Sequence, residues 1–128
     1  MTAIATKDAP AAIGPYVQGV TLGEMVITSG QLPINPETGE MPESVEEQTL
    51  QSLKNALAIL MEAGLSARDI MKTTVFVKDL NDFAKVNEVY GKFFDDNEAP
   101  YPARSCVEVA RLPKDAKVEI EVLAFPRR

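Results

Sequence analysis

The sequence predicts an α+β fold in which two helices cover one face of a mixed β-sheet, in the order ββαβαββ. Three observations predict it. Stretches 44–64 and 79–94 repeat apolar residues at helical spacing. Stretches 16–20, 25–29, 70–77, 102–109 and 117–125 are short, rich in β-branched residues, and bounded by Gly, Pro, Asn or Asp. The chain has 128 residues, 45% hydrophobic and 25% charged, which suits one domain spanning 1–128 with an adequate core.

Taken in order, residues 1–15 read as irregular, with Pro10, Gly14 and Pro15 late in the run. Tyr16 to Val20 and Met25 to Ser29 form a hairpin about a turn at Thr21 to Glu24. It ends at Gly30, where backbone can approach a ligand closely. Pro33, Asn35, Pro36, Gly39 and Pro42 make a loop. A helix starts at Ser44, whose spacing to Glu47 fits a capping box. Leu50, Leu53, Leu57, Leu60 and Met61 give it one apolar stripe, and Gly64 stops it. Ile70 to Val77 is a strand. Asp79 or Asn81 caps a second helix through about Phe94. Its stripe is Phe83, Val86, Tyr90 and Phe93, with Asn87 at the edge, and Asp95 to Asn97 end it.

Pro102 to Val109 and Lys117 to Phe125 read as a second hairpin across the polar turn Ala110 to Ala116. Side chains alternate across a strand. Ser105, Val107 and Val109 then share one face of the first strand, and Arg104, Cys106 and Glu108 the other. Val118, Ile120, Val122 and Ala124 oppose Glu119, Glu121, Leu123 and Phe125 on the second. Pairing the apolar faces puts Arg104 and Cys106 beside Glu119. It also leaves Leu123 and Phe125 on a face that two helices cannot cover, so an oligomer closing over that face is expected.

Composition removes whole classes of chemistry. The chain lacks histidine, which excludes Ser-His-Asp and Cys-His nucleophile systems. One cysteine and no histidine exclude the usual zinc sites, and neither a phosphate-binding Gly-x-x-x-x-Gly-Lys loop nor a Rossmann fingerprint is present. No metal or cofactor is expected. A lone cysteine makes no internal disulfide, so a cytoplasmic setting is the default. No run approaches the roughly 20 apolar residues of a bilayer span, and residues 1–15 do not form a signal peptide, so no membrane association is expected. A net charge of −6 and a pI near 4.7 argue against nucleic acid as a partner.

The candidate residues each carry a plain structural alternative. Arg104 can clamp a carboxylate through parallel hydrogen bonds. Strand geometry alone favours instead a salt bridge to Glu119 or Glu121. Glu119 either positions and deprotonates a water or is the structural partner of Arg104. Cys106 is a nucleophile without a visible base, or a small half-buried thiol. Tyr16 and Asn87 are hydrogen-bonding groups for a ligand or satisfied edge residues. Ser29 and Gly30 offer a hydroxyl and a bare backbone N–H, or simply end a strand.

The motif Pro102-Ala103-Arg104-Ser105-Cys106-Val107-Glu108-Val109-Ala110-Arg111-Leu112-Pro113-Lys114-Asp115-Ala116-Lys117-Val118-Glu119-Ile120-Glu121 resembles the signature of the Rid/YjgF family, the reactive-intermediate (imine) deaminases. Ile13 to Gly19, Thr28 to Pro33 and Lys72 to Leu80 are similar to that family too, and the likeness runs nearly the whole chain, nearest to the 2-iminobutanoate/2-iminopropanoate deaminase branch. The resemblance implies a chorismate-mutase-like fold and a homotrimer with ligand clefts between subunits. It implies that Arg104 binds the substrate carboxylate, with Tyr16, Ser29, Gly30, Asn87, Cys106 and Glu119 lining the cleft. The expected reaction is hydrolysis of a 2-imino acid, or its enamine tautomer, to a 2-keto acid and ammonia, with Arg104 and Glu119 as the catalytic pair. A trimeric regulator that binds small carboxylates without turnover, and an activity on RNA or translation, are the competing readings.

Overall fold

The computed structural model describes residues 1–127. Eight elements follow one another: β1 (Thr2–Ile4), β2 (Gly19–Leu22), β3 (Met25–Thr28), α1 (Val45–Glu62), β4 (Ile70–Val77), α2 (Phe83–Asp96), β5 (Ala103–Glu108) and β6 (Val118–Ala124). The strands form one mixed sheet in the order β1-β2-β3-β6-β4-β5. The two helices lie on one of its faces, as the apolar stripes predict. The irregular reading of the first residues missed β1, which pairs antiparallel with β2. Three residues of weak pattern carry no sequence signal.

The second predicted hairpin does not form. β5 and β6 lie on opposite sides of β4, parallel to it in the first case and antiparallel in the second. β4 has Val75 and Val77 fully buried, and an interior place between β6 and β5 satisfies both of its edges. The connection from β5 to β6 therefore crosses over the end of β4. Val109 N–H donates to Val77 O at 2.9 Å on the way. A short 3-10 turn at Pro113 to Asp115 completes the crossing, with Lys114 and Asp115 held at φ of 57° and 55°.

This topology changes which residues share a face. Thr73 and Val75 of β4 stand opposite Arg104 and Cys106 of β5, and opposite Val122 and Ile120 of β6. All six are on the helix-covered side. Thr74 and Phe76 stand opposite Ser105 and Val107, and opposite Glu121 and Glu119, on the uncovered side. Arg104 and Glu119 are thus on opposite faces, contrary to the hairpin reading. Leu123 and Ile27 are partners on the uncovered side. Ile27, Val107 and Leu22 are 41%, 44% and 62% exposed there, so the apolar, unprotected face that the pattern predicts is present.

α1 starts as predicted. Ser44 Oγ accepts from Glu47 N–H at 3.1 Å, and Gly64 at φ 83° ends it, with Leu65 N–H reaching back to Leu60 O. Its buried stripe is rotated from the predicted one. Val45, Leu53, Ala56, Ile59 and Leu60 are buried, Leu50 and Leu57 only flank the core, and Met61 is 63% exposed. The small residues Ser52 and Ala56 let the helix settle close to the sheet. At Gly19 a Cβ would stand 2.9 Å from Ile59 Cγ2, so β2 needs a glycine beneath this helix. α2 follows a 3-10 turn at Leu80 to Asp82, capped by Asp79 Oδ1 accepting from Asn81 N–H. Val86, Tyr90, Phe93 and Phe94 are its buried residues.

Three buried amides hold the loops that surround the site. Gln18 accepts from Thr6 N–H and donates to Thr6 O and Pro10 O, at 2.7, 3.0 and 2.8 Å. Asn55 donates to Leu32 O and Ile34 O at 3.0 and 2.9 Å. Gln48 donates to Pro42 O and accepts from Lys117 N–H. Backbone carbonyls drawn inward need such donors, and losing one costs about 1–3 kcal/mol. Asn55→Ala should lower unfolding stability by about that amount in urea while the helix content stays intact. A change well below half of it would mean that Asn55 does not carry the 31–36 loop.

Candidate active site

The seven candidate residues fall into two groups on the two sides of the sheet. The first group is Arg104, Asn87 and Cys106. The spacing 83, 87, 90 puts Phe83, Asn87 and Tyr90 on one stripe of α2, directly over the start of β5. Arg104 Nη1 donates to Asn87 Oδ1 at 2.6 Å. The Arg104 Cζ lies 4.9 Å from the Tyr90 ring centroid and 5.4 Å from that of Phe83. No carboxylate pairs with it among the described residues. The ion pair to Glu119 or Glu121 that strand geometry favoured is absent, because both acids are on the other face. The bond to Asn87 uses a single donor of the guanidinium fork and leaves the rest for a ligand. A half-buried cation with free, coplanar donors is suited to receive a carboxylate.

Cys106 is half-buried beside this cation and packs against the core. Burial pushes its thiol up, and the Arg104 charge offsets this only in part. The protonated thiol is a weak nucleophile. It is a small half-buried thiol, as the plainer alternative had it.

The second group is Tyr16, Ser29, Gly30 and Glu119. They surround a cavity of about 400 Å³ whose other walls include Ile13, Leu32, Ile34, Pro113 and Lys114. The β3–β6 ladder goes out of step to make it. Ile27 pairs with Leu123, yet Gln31 bridges to Ile120, so the β3 side holds one extra residue. Such an irregularity re-aims a strand near a site. The Thr28 hydroxyl takes up the Val122 N–H at 3.1 Å within the interruption. Ser29 N–H donates to Gln18 O, and Ser29 Oγ donates to Val17 O at 2.6 Å. The Ser29 hydroxyl thus has its proton committed and its lone pairs turned outward as acceptors.

Gly30 lies against the Glu119 carboxyl. A Cβ there would be 2.9 Å from Glu119 Cδ and 3.0 Å from Oε2. The glycine that the sequence marks as a close approach is therefore approached by an acid of the same chain. No donor is bonded to the Glu119 carboxylate among the described residues. Burial, and then the negative charge of Glu121, push its pKa above the usual carboxylate range. An unpaired carboxylate of raised pKa in a cavity is suited to take a proton from water. Tyr16 is half exposed at the rim, in the loop before β2 and not in a strand.

Sequence reading did not single out Gln18 or the aromatic pair over Arg104. Gln18 looks like any polar residue near a turn, and Phe83 and Tyr90 read as core because their spacing is helical. Lys114 falls within what reads as a polar turn, and its left-handed backbone has no signature in residue type.

Comparison with known proteins gives this arrangement a lineage. A family model described as endoribonuclease L-PSP matches residues 6–125. The chain is 66% identical over 124 residues to the 2-iminobutanoate/2-iminopropanoate deaminase of Escherichia coli K12, covering 97% of each. The crystal structure of the E. coli YjgF gene product superposes with a TM-score of 0.98 at 64% identity, covering 99% of this chain and 100% of that one. E. coli TdcF with bound serine superposes with a TM-score of 0.97 at 60% identity, covering 99% and 100%. Matched from end to end in sequence and backbone, the chain belongs to the YjgF/Rid family, the group of the endoribonuclease L-PSP model.

Proposed function

We propose that this protein hydrolyses reactive 2-imino acids, such as 2-iminobutanoate and 2-iminopropanoate, and their enamine tautomers, to 2-keto acids and ammonia. The observation that carries the reading is the pair of complementary groups: an acid-free guanidinium with donors to spare, and an unpaired carboxylate of raised pKa beside a glycine. Relatives named for this deaminase activity support it, and so does a relative that holds an amino acid, serine.

The chemistry needs only these groups. An imine carbon is already electrophilic. Arg104 grips the carboxylate of the substrate and fixes the adjacent C=N in place. Glu119 takes a proton from water as the oxygen bonds to that carbon. The C=N π pair goes to nitrogen, which takes that first water proton back from Glu119 to give a carbinolamine. The carbinolamine hydroxyl then loses the second proton as C=O forms, the nitrogen takes it, and the C–N bond breaks with its electron pair leaving on ammonia. Ser29 Oγ is an acceptor for the imine N–H, and Tyr16, Gly30, Asn87 and Cys106 shape the cleft.

Arg104 and Glu119 lie on opposite faces of one chain, so a single substrate meets both only where two chains adjoin. The uncovered apolar face supplies a reason for chains to adjoin, and the family resemblance implies a homotrimer with a site at each junction. A lone cysteine supports a cytoplasmic setting, where the substrates would be imines released by pyridoxal-phosphate enzymes acting on serine or threonine. An RNA-cleaving reading draws on the names of the family model and of some structural neighbours. It has no histidine to use and an overall charge of −6 to overcome.

The direct test is a coupled assay in which threonine dehydratase generates 2-iminobutanoate and ammonia release is timed. A parent protein that leaves the release rate unchanged would end the proposal. Arg104→Lys keeps the charge but loses the fork. Charged hydrogen bonds contribute roughly 1.5–3 kcal/mol, so kcat/KM should fall about 10- to 150-fold. A rate near the parent's would count against a bidentate grip. Glu119→Gln should retain binding of 2-oxobutanoate and lose about 10²-fold or more in turnover. Retained turnover would favour the non-enzymatic regulator.

The pH profile follows from the same acid. Glu119 works as its anion, so activity falls as pH drops through its pKa. Because burial and Glu121 raise that pKa, the acid limb of kcat/KM should lie above the ordinary glutamate range. Glu121→Gln removes one cause and should move the limb to lower pH. An unmoved limb would mean that another group sets it.

A further inference from the structure

We propose that Tyr90, Phe83 and Thr73 form a seat that orients the Arg104 guanidinium for the carboxylate, with Tyr90 tethered to Thr73 as the fixed part. They act through Arg104 and are positioning residues. The inference rests on the function proposed above.

Arg104 is on an edge strand, and its side chain has a single hydrogen bond, to Asn87. A long side chain so held would lose much of its orientation to rotamer freedom. Two ring faces restrict it further, at 4.9 and 5.4 Å from Cζ. Cation–π attraction is strongest where the ring is removed from water, and Tyr90 is 6% exposed. The Tyr90 ring is itself immobilised. Phe94 packs against it with centroids 4.9 Å apart. Its hydroxyl is hydrogen-bonded at 2.6 Å to that of Thr73, which is fully buried.

Thr73 is the residue opposite Arg104 in the parallel β4–β5 pairing. The anchor of the ring and the base of the arginine are therefore cross-strand neighbours in one ladder, and the distance between them is set by backbone hydrogen bonds. Burial raises the Tyr90 pKa, so the phenol stays a neutral hydrogen-bonding group at working pH. Phe83 closes the open side of the guanidinium and is 39% exposed. An exposed phenylalanine at the mouth of the site is accounted for by this contact. A purely structural role for the hydroxyl pair would satisfy two buried polar groups and leave substrate affinity untouched.

The experiment compares Tyr90→Phe, Tyr90→Leu, Phe83→Leu and the double variant Tyr90→Phe/Thr73→Val. It reads KM and kcat in the coupled assay, Kd for 2-oxobutanoate by calorimetry, and the Arg104 Nε–H signal by NMR, assigned by its loss in Arg104→Lys. Tyr90→Leu should raise KM and Kd on the order of tenfold with kcat less affected, and Phe83→Leu should raise both by a few-fold. Tyr90→Phe keeps the ring but cuts the tether, so KM and Kd should rise by a few-fold, less than in Tyr90→Leu. Adding Thr73→Val to it should change little more, because the two hydroxyls act as one unit. The Arg104 Nε–H should be sharp in the parent, partly broadened in Tyr90→Phe, and most broadened in Tyr90→Leu. Should Tyr90→Leu not fold, the exposed Phe83→Leu decides the matter.

KM and Kd within about twofold of the parent in both leucine variants, or an unchanged Arg104 signal, would overturn the seat. If the parent itself neither binds 2-oxobutanoate nor hydrolyses the imine, the function proposed above fails instead. The NMR comparison then decides the seat alone.

Discussion

The pairing of β4 with β6 on one side and with β5 on the other is the constraint on which the rest of the structure depends. The register sets Thr73 against both Arg104 and Val122, and Phe76 against both Val107 and Glu119. One chain therefore presents its cation under the helices and its acid on the bare face. A register shift by one residue would exchange every one of these assignments. The same pairing makes β4 an interior strand, between β6 and the edge strand β5, and sends the β5–β6 connection over its end, which brings Pro113 and Lys114 to the cavity wall.

The two groups of candidate residues are matched in electrostatic logic. Each holds a charged group that its own chain leaves uncompensated. The guanidinium is held by an amide and two aromatic rings, none of which neutralises it. The carboxylate is crowded by Gly30 and raised by burial and by Glu121. Pairing the two directly within one chain would stabilise that chain and leave no receptor for a substrate. Their separation across the sheet prevents this, and the proposed assembly would bring them to one ligand without letting them neutralise each other first. The buried amides of Gln18 and Asn55 complete the picture, because the loops they hold form the wall opposite Glu119.

Much of this was legible in the sequence, and the failures have physical causes. The helix ends at Ser44 and Gly64 were readable because caps are local chemistry. The strand at 70–77 was readable because the β formers Thr73, Thr74, Val75, Phe76 and Val77 follow one another in it. The β5–β6 hairpin was misread because alternation reports a strand and not its neighbour. Two consecutive strands with a loop between them pair more often than they cross, and nothing in residues 110–116 says that a third strand passes between. The α1 stripe was misread because it was built from four leucines and Met61, whereas close packing on the sheet selects Ala56 and Ser52 as well. Arg104, Glu119 and Gly30 stood out through the resemblance and through residue chemistry. Gln18, Thr73 and Tyr90 did not, since their roles arise from what the fold brings beside them.

The central claim is that one chain's Arg104 works with another chain's Glu119, and mixing inactive variants tests it most directly. Arg104→Ala and Glu119→Gln chains, each nearly inactive alone, would be unfolded, combined in equal amounts and refolded together. Random assembly then gives intact sites at about a quarter of the junctions, and the account predicts recovery of about that share of the parent's imine hydrolysis. Recovery no greater than the sum of the two separate variants, with mixed oligomers confirmed by native mass spectrometry, would contradict it.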